Sequence, residues 1–249
     1  MNRFFVSDEN LRGKRAVFGQ QHAHQIRQVL RLKRGDRVIV LDNKGYEYKV
    51  RLTTVGRNEV AGQITEKRQA LGEPEVQITL HQSLLARDKF EWVLQKCTEV
   101  GVTRFVPVIT ERSIVRDADR LKENKLARWQ RIIAEAAEQS GRGRIPELLP
   151  AVSLREALNS VTDFDCCLMA SPQEQEVTLR SYLRAVEGTR PSAIALFVGP
   201  EGGFTDEELQ LGKTHGATGV GLGPRILRTE TAAVVATALI LYELGQMEA

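Results

Sequence analysis

Val198-Gly199-Pro200-Glu201-Gly202-Gly203-Phe204 and Leu222-Gly223-Pro224-Arg225-Ile226-Leu227-Arg228-Thr229-Glu230-Thr231-Ala232 are the two stretches on which the reading of this chain turns. Each follows an apolar run that reads as a strand, Ala193–Val198 and Thr218–Leu222, and each sets a Gly-Pro pair directly behind it. Glycine lets backbone approach a ligand, while proline fixes one torsion and removes a donor. A single Gly-Pro pair usually does no more than turn the chain. Two of them after adjacent strands suit recognition of a flat ring by backbone groups, because ligands of open α/β sheets bind at the carboxyl ends of strands.

Working outward, strands are expected at Val76–His81, Phe105–Ile109 and Cys166–Ala170, and helices at Asp88–Val100, Leu121–Ser140, Leu154–Val161, Glu176–Val186, Asp206–His215 and Glu230–Leu244. Ser153-Leu-Arg-Glu156 and Thr205-Asp-Glu-Glu208 are capping boxes that fix two helix starts. Such alternation implies an α/β layer around a mostly parallel sheet. Before the Gly/Pro break at Leu71-Gly72-Glu73-Pro74 the pattern changes. Arg37–Asp42, Tyr46–Val55 and Glu59–Glu66 read as strands, with a turn at Asn43-Lys44-Gly45 and one short helix at His22–Leu30, a pattern that suggests a small barrel. The boundaries expected are thus a small β-rich domain over 1–72 and an α/β domain over 73–249.

The 249 residues, 42% hydrophobic and 27% charged, have ordinary globular composition, which excludes a collagen, a disordered tail or a small disulfide scaffold. Three cysteines, two of them the adjacent Cys166 and Cys167, fit a reduced cytoplasmic setting. The start carries no long apolar run, so no signal peptide is expected, and the longest apolar stretch, Ala232 to Tyr242, is too short to cross a membrane. Net charge is only +3, yet residues 1–72 hold 15 Lys and Arg against 7 Asp and Glu, a net of +8, while the remainder holds 20 against 25, a net of −5. A basic module joined to a mildly acidic one suggests that the first part meets a polyanion such as nucleic acid.

Other chemistries are poorly supported. No Walker A loop occurs, and Gly219-Val-Gly221-Leu-Gly223-Pro224 puts proline where a dinucleotide fold needs its last glycine. The four histidines are scattered and no Cys/His spacing fits zinc, so no metal is expected; Cys97 reads as core packing. Basic residues cluster more informatively: Arg3, then Arg27, Arg31 and Lys33, then Arg87 and Lys89 after a strand, then Arg142 and Arg144 in a tight SGRGR loop. Arginine's planar fork suits phosphate and stacks on unpaired bases.

Taken with Met1-Asn-Arg-Phe-Phe5, Val29-Leu-Arg-Leu32, Lys89-Phe-Glu-Trp-Val-Leu-Gln-Lys96, Thr98-Glu-Val-Gly101, Thr110-Glu-Arg-Ser113 and Glu135-Ala-Ala-Glu-Gln-Ser140, the two loops resemble the SPOUT superfamily of knotted methyltransferases. The order of these matches along nearly the full length resembles the bacterial family that methylates N3 of a uridine in 16S ribosomal RNA. The resemblance implies a PUA-like β-barrel domain, a SPOUT-type parallel sheet with a deep trefoil knot, a homodimer, and S-adenosylmethionine as the cofactor. Carried over by position, the cofactor pocket comprises Met169 and Ala170, the segment from Gly199 through Pro200, Glu201 and Gly202 to Gly203, and the segment Leu222, Gly223, Pro224, Arg225, Ile226 and Leu227.

Methylation at N3 requires an unpaired or flipped base, a group to stabilise the developing uridinate and a group to take the proton. Arg228 is the candidate for the charge; Glu201 and Glu230 are candidates for base or orienting group. Two rival readings stand beside this one. One is a knotted methyltransferase acting on a ribose 2′-hydroxyl of tRNA or rRNA. The other is a non-catalytic RNA-binding ribosome-assembly factor, which would leave two intact cofactor-type loops without a purpose.

Overall fold

The computed structural model describes residues 1–86, 88–113, 123–174, 176–189 and 191–248. The chain divides into two units, 1–73 with 134–145, and 74–133 with 146–249. Thus the segment Ala134–Ile145, which a linear boundary near residue 72 leaves with the second half, groups with the first.

In the N-terminal unit the elements are β1 (Arg3–Phe5), β2 (Leu11–Arg12), β3 (Arg15–Val17), α1 (Gln20–His24), β4 (Arg37–Leu41), β5 (Tyr46–Val55) and β6 (Val60–Gln69). They form one six-stranded sheet in the order β1-β4-β5-β6-β3-β2, antiparallel except for β1 beside β4. Its inward face buries Phe4, Ala16, Val38, Val40, Val50, Leu52 and Val60, with Phe4 and Phe18 meeting edge to face. Apolar burial of this kind supplies the main stabilisation of so small a unit.

The single helix expected over His22–Leu30 is instead one turn of α-helix followed by a π-turn, Gln25–Val29. Of Ile26, Val29 and Leu30, the residues whose spacing suggested it, only Ile26 is fully buried, and Val29 is 66% exposed. The turn closes with the Leu32 N–H donating to Ile26 O, and Arg31 takes the left-handed position at φ 53°, where glycine is usual. A non-glycine residue there is strained by about 1–2 kcal/mol. Arg31 is exposed there.

The SGRGR loop belongs to this unit. Glu73 accepts from Arg142 at 2.9 and 3.2 Å and from the backbone N–H groups of Gly143 and Arg144. Asn43 Oδ1 accepts from the Ile145 N–H, which ties the loop to the turn at 43–45.

The second unit holds β7 (Gln77–Ser83), α2 (Lys89–Val100), β8 (Arg104–Ile109), α3 (Glu123–Ser140, grouped with the first unit from Ala134 on), β9 (Glu147–Leu148), β10 (Val152–Ser153), α4 (Leu154–Leu158), β11 (Cys166–Ala170), α5 (Leu179–Val186), β12 (Ala193–Val198), α6 (Asp206–Thr214), β13 (Thr218–Val220) and α7 (Thr229–Glu243). Leu121 and Lys122, the expected start of α3, lie outside the described residues.

The sheet order is β10-β8-β7-β12-β11-β13, with β9 also on β8, and every pairing is parallel. Helices cover such a sheet on both faces, which is why β11 and the interior of β12 are wholly buried. Both capping boxes form as expected, at Ser153/Glu156 and Thr205/Glu208. One expectation is corrected. The strands before the two Gly-Pro loops, β12 and β13, are consecutive in the chain but not neighbours, because β11 lies between them. No described helix is long and apolar enough to cross a membrane.

Candidate active site

At the carboxyl ends of β11 and β12 the chain encloses a cavity of about 550 Å³. Three segments line it: Ala170 to Gln173 after β11, Val198 to Phe204 after β12, and Ile226 to Glu230 with Ala232 at the start of α7; Lys89 of α2 completes the wall.

Local physics shapes the middle segment. The Gly203 N–H donates to Pro200 O, and Gly203 sits at φ +68°, a left-handed conformation that favours glycine. Phe204 then turns into the core beside Phe197 and Ala217, and the Thr205 cap starts α6. From outside, Arg112 donates to Gly202 O at 2.8 Å and fixes the loop's outer edge.

A buried polar latch holds the loop to α7. Thr229 Oγ1 donates to Gly199 O, and Gln82 Nε2, on the end of β7, donates to Thr229 Oγ1 at 3.2 Å. The Gln82 amide is also within 3.4–3.5 Å of the Val198 and Gly199 carbonyls. Buried polar groups are costly unless paired, so this network sets the start of α7, and Arg228 before it, against the Gly199 loop.

The candidate catalytic residues Arg228, Glu201 and Glu230 all line the cavity, as do Ala170, Gly199, Pro200, Gly202, Gly203, Ile226 and Leu227. Met169 does not. Its side chain is buried in the sheet core over α6, where a Cβ added at Gly212 would fall 2.1 Å from its sulfur. Leu222, Gly223, Pro224 and Arg225 also lie off the cavity wall; the last three are exposed. Ser171, Pro172, Gln173, Thr229 and Lys89 join the wall although the sequence offered no cofactor signal for them. Ser171, Pro172 and Gln173 follow β11 as a plain polar turn.

The two carboxylates differ. Lys89 Nζ lies 3.0 Å from Glu201 Oε1. Burial pushes the Glu201 carboxyl up, but backbone N–H donors and Lys89 outweigh it and hold the group below the usual carboxylate range. Glu230 Oε2, in contrast, is buried and has no hydrogen-bond partner among the described residues.

The expected RNA-binding residues are split. Arg31, Lys33 and Arg144 are exposed, and Arg3 is half-buried beside Glu47. Arg27 is drawn onto the carbonyls of Ala23, Gly56 and Arg57. Arg142 is only 2% exposed and spends its guanidinium on Glu73, so it shapes the loop from within and is corrected from an RNA contact to a structural residue. Arg87 lies outside the described residues. Among the described residues no cluster of three His, Cys, Asp or Glu side chains could hold a metal. Cys97 is fully buried and burial pushes its thiol up, which keeps it protonated.

Residues 72–241 match the RNA methyltransferase domain family and 23–65 the RNA methyltransferase PUA domain. The ribosomal RNA small subunit methyltransferase E of Bacillus subtilis is 35% identical over 226 residues, 90% of this chain and 88% of the relative. That of Synechocystis is 34% identical over 96% of this chain and 76% of its own. Among solved structures, the ribosomal RNA small subunit methyltransferase E from Neisseria gonorrhoeae bound to S-adenosyl methionine superposes with a TM-score of 0.85 at 37% identity, covering 97% of each chain. A methyltransferase from Legionella pneumophila in complex with the bound cofactor SAM gives 0.86 at 31% identity, covering 96% of each.

A PUA module ahead of a parallel-sheet RNA methyltransferase domain is the class that the fold and these matches define. Within that class the chain belongs to the ribosomal RNA small subunit methyltransferase E family.

Proposed function

We propose that this protein transfers a methyl group from S-adenosylmethionine to N3 of a uridine in 16S ribosomal RNA. The observation that carries the reading is the cavity at the ends of β11 and β12, where backbone from glycine-rich segments meets the side chains of Arg228 and Glu230. Its volume is in the range of small-molecule sites, and its wall of backbone, apolar side chains and two carboxylates fits a nucleoside with a cationic centre. Ala170, the segment Gly199 to Gly203, Ile226 and Leu227 would hold that group. When bound, it supplies an electrophilic methyl.

The chain's own residues do the rest. The uridine N3–H must be lost before nitrogen can act as a nucleophile. The Glu230 carboxylate, on the cavity wall, accepts that proton, whereas Glu201 is engaged by Lys89 and serves to orient. Arg228 stabilises the negative charge that spreads over the uracil ring. Met169 and the segment Leu222–Arg225 act from behind the wall, by packing β11 and by leading the chain to it.

The basic N-terminal domain, with the SGRGR segment that groups with it, binds RNA through Arg31, Lys33, Arg3 and Arg144, and the α/β unit of 74–133 and 146–249 is the catalytic domain. Irregular or single-stranded RNA fits these arginines best. The family resemblance implies that the parallel-sheet unit carries a trefoil knot. Leu239 and Tyr242 stand exposed on the otherwise apolar α7, which supports a homodimer, and a ribosomal substrate supports a cytoplasmic site.

The test is transfer of label from S-adenosylmethionine to small subunits taken from a strain lacking the gene. Label at N3 of one uridine, mapped by mass spectrometry, is expected; label on a ribose 2′-hydroxyl would move the enzyme to the rival class.

A further inference from the structure

Beside the cavity lies a second one, of about 580 Å³. Lys89, Arg228 and Glu230 line both, and the second adds Trp92 and Gln95 of α2 and Ile132 of α3. Arg228 and Glu230, which the mechanism uses, and Lys89, which engages Glu201, are thus shared by the walls of the two hollows. One hollow is walled by glycine-rich backbone. The other has an indole on its side.

We propose that the second cavity receives the unpaired base itself, that Trp92 is its stacking face, and that Glu230 with its cationic neighbours selects uracil over cytosine. The proposal rests on the methyltransferase reading above. Trp92 is 42% exposed, an unusual cost in water for the largest apolar side chain. Every base has a π face that stacks on such a ring. Gln95 follows three residues on, so it lies on the same helical face and brings an amide to the edge of whatever stacks there.

The shared wall also has a reading pattern. The Watson–Crick edge of uracil presents acceptor, donor, acceptor: O4, N3–H and O2. The wall supplies the complement, since Arg228 and Lys89 can only donate and the Glu230 carboxylate can only accept while ionised. Cytosine offers a lone pair at N3 and an amino group next to it, so Glu230 would face an acceptor and a cation would face a donor. Sites built around such polar complementarity reject the wrong partner strongly, because buried groups are then left unpaired.

The experiment compares wild type, Trp92→Ala and Trp92→Phe as full-length proteins. It uses small subunits that carry the target uridine, and the same subunits with cytidine at that position. For each protein, cofactor affinity is measured by calorimetry, oligomeric state by light scattering, and kcat/KM for the subunit at saturating cofactor. Trp92→Ala should lower kcat/KM by about 5- to 150-fold, the range of one base–aromatic stack. Cofactor affinity and oligomeric state should stay unchanged, Trp92→Phe should recover most of the loss, and cytidine subunits should take no label. Full activity of Trp92→Ala overturns the stacking role. A loss that tracks a change in oligomeric state overturns it too, by making Trp92 a contact between copies of the chain. Cytidine labelled as well as uridine overturns the selection. If wild type labels no RNA at all, the methyltransferase reading falls and the proposal with it, an outcome separate from the others.

Discussion

The two Gly-Pro loops look alike in sequence and are used differently. In the first, every residue from Gly199 to Phe204 lines the cavity; in the second, Leu222 to Arg225 do not, and the wall begins only at Ile226. The cause lies in the sheet. The first loop leaves β12 in the middle of the sheet and is held on three sides by Arg112, Thr229 and Gln82. The second leaves β13 at the edge, runs through solvent, and comes back over the cavity as it enters α7. A motif reports that backbone can approach something, but the strand order decides what that is.

The largest effect should come from the returning end of the second loop. Glu230→Gln keeps the shape and removes the proton acceptor, and kcat should fall by about 10²–10⁴-fold with cofactor affinity nearly intact. If cofactor affinity falls instead, Glu230 belongs to cofactor binding and the two loops serve the same end.

Acid should distinguish the supports of the loops. His81 of β7 stacks on Phe197 at 4.1 Å, directly under the first loop, and burial lowers its pKa from 6.5 to about 4. The folded state therefore favours the neutral ring. Its contribution is intact above pH 6.5 and is lost as pH falls from 6.5 toward 4, by about 3 kcal/mol in all. Thermal unfolding followed across that window should show the slope in wild type and lose it in His81→Gln; a slope that survives the substitution would assign it to other groups.

Glycine gives a matched pair. Gly203 at φ +68° and Gly223 at φ +103° both have nothing within 4 Å of an added Cβ, so alanine at either adds strain without a clash. Each should cost about 1–2 kcal/mol of stability. Only Gly203→Ala should weaken cofactor binding, by about tenfold, as read by calorimetry. Equal losses at both would put the head of the second loop back in the site.

The smallest effect should be at Arg225, exposed and off the wall. Arg225→Ala should change cofactor affinity by less than about twofold.

Much of this architecture could be read from residues alone, where local signals were strong. Tyr46–Val55, Cys166–Ala170 and Ala193–Val198 appear as strands with the expected ends, because each is a β-rich or apolar run bounded by turn residues. β1, β2, β3, β9 and β10, of two or three residues each, are too short to show a period. The π-turn after α1 hid because Val29 mimics a buried position that the chain leaves in water. In the site, Arg228, Glu230 and the Gly199 loop were legible as motifs. Arg142 was not, since its partner Glu73 is 69 residues away, and neither was the Ser171–Gln173 wall, which depends on β11 lying between β12 and β13.

The role of Arg228 is tested most sharply by Arg228→Ala beside wild type, with S-adenosylmethionine binding measured by calorimetry and methyl transfer to small subunits at saturating cofactor measured by label. Binding should be kept within about twofold, as for a residue whose charge acts on the base, while label at uridine N3 should fall by about 10²–10³-fold. Cofactor binding lost in step with transfer, or transfer unaffected, would contradict that role.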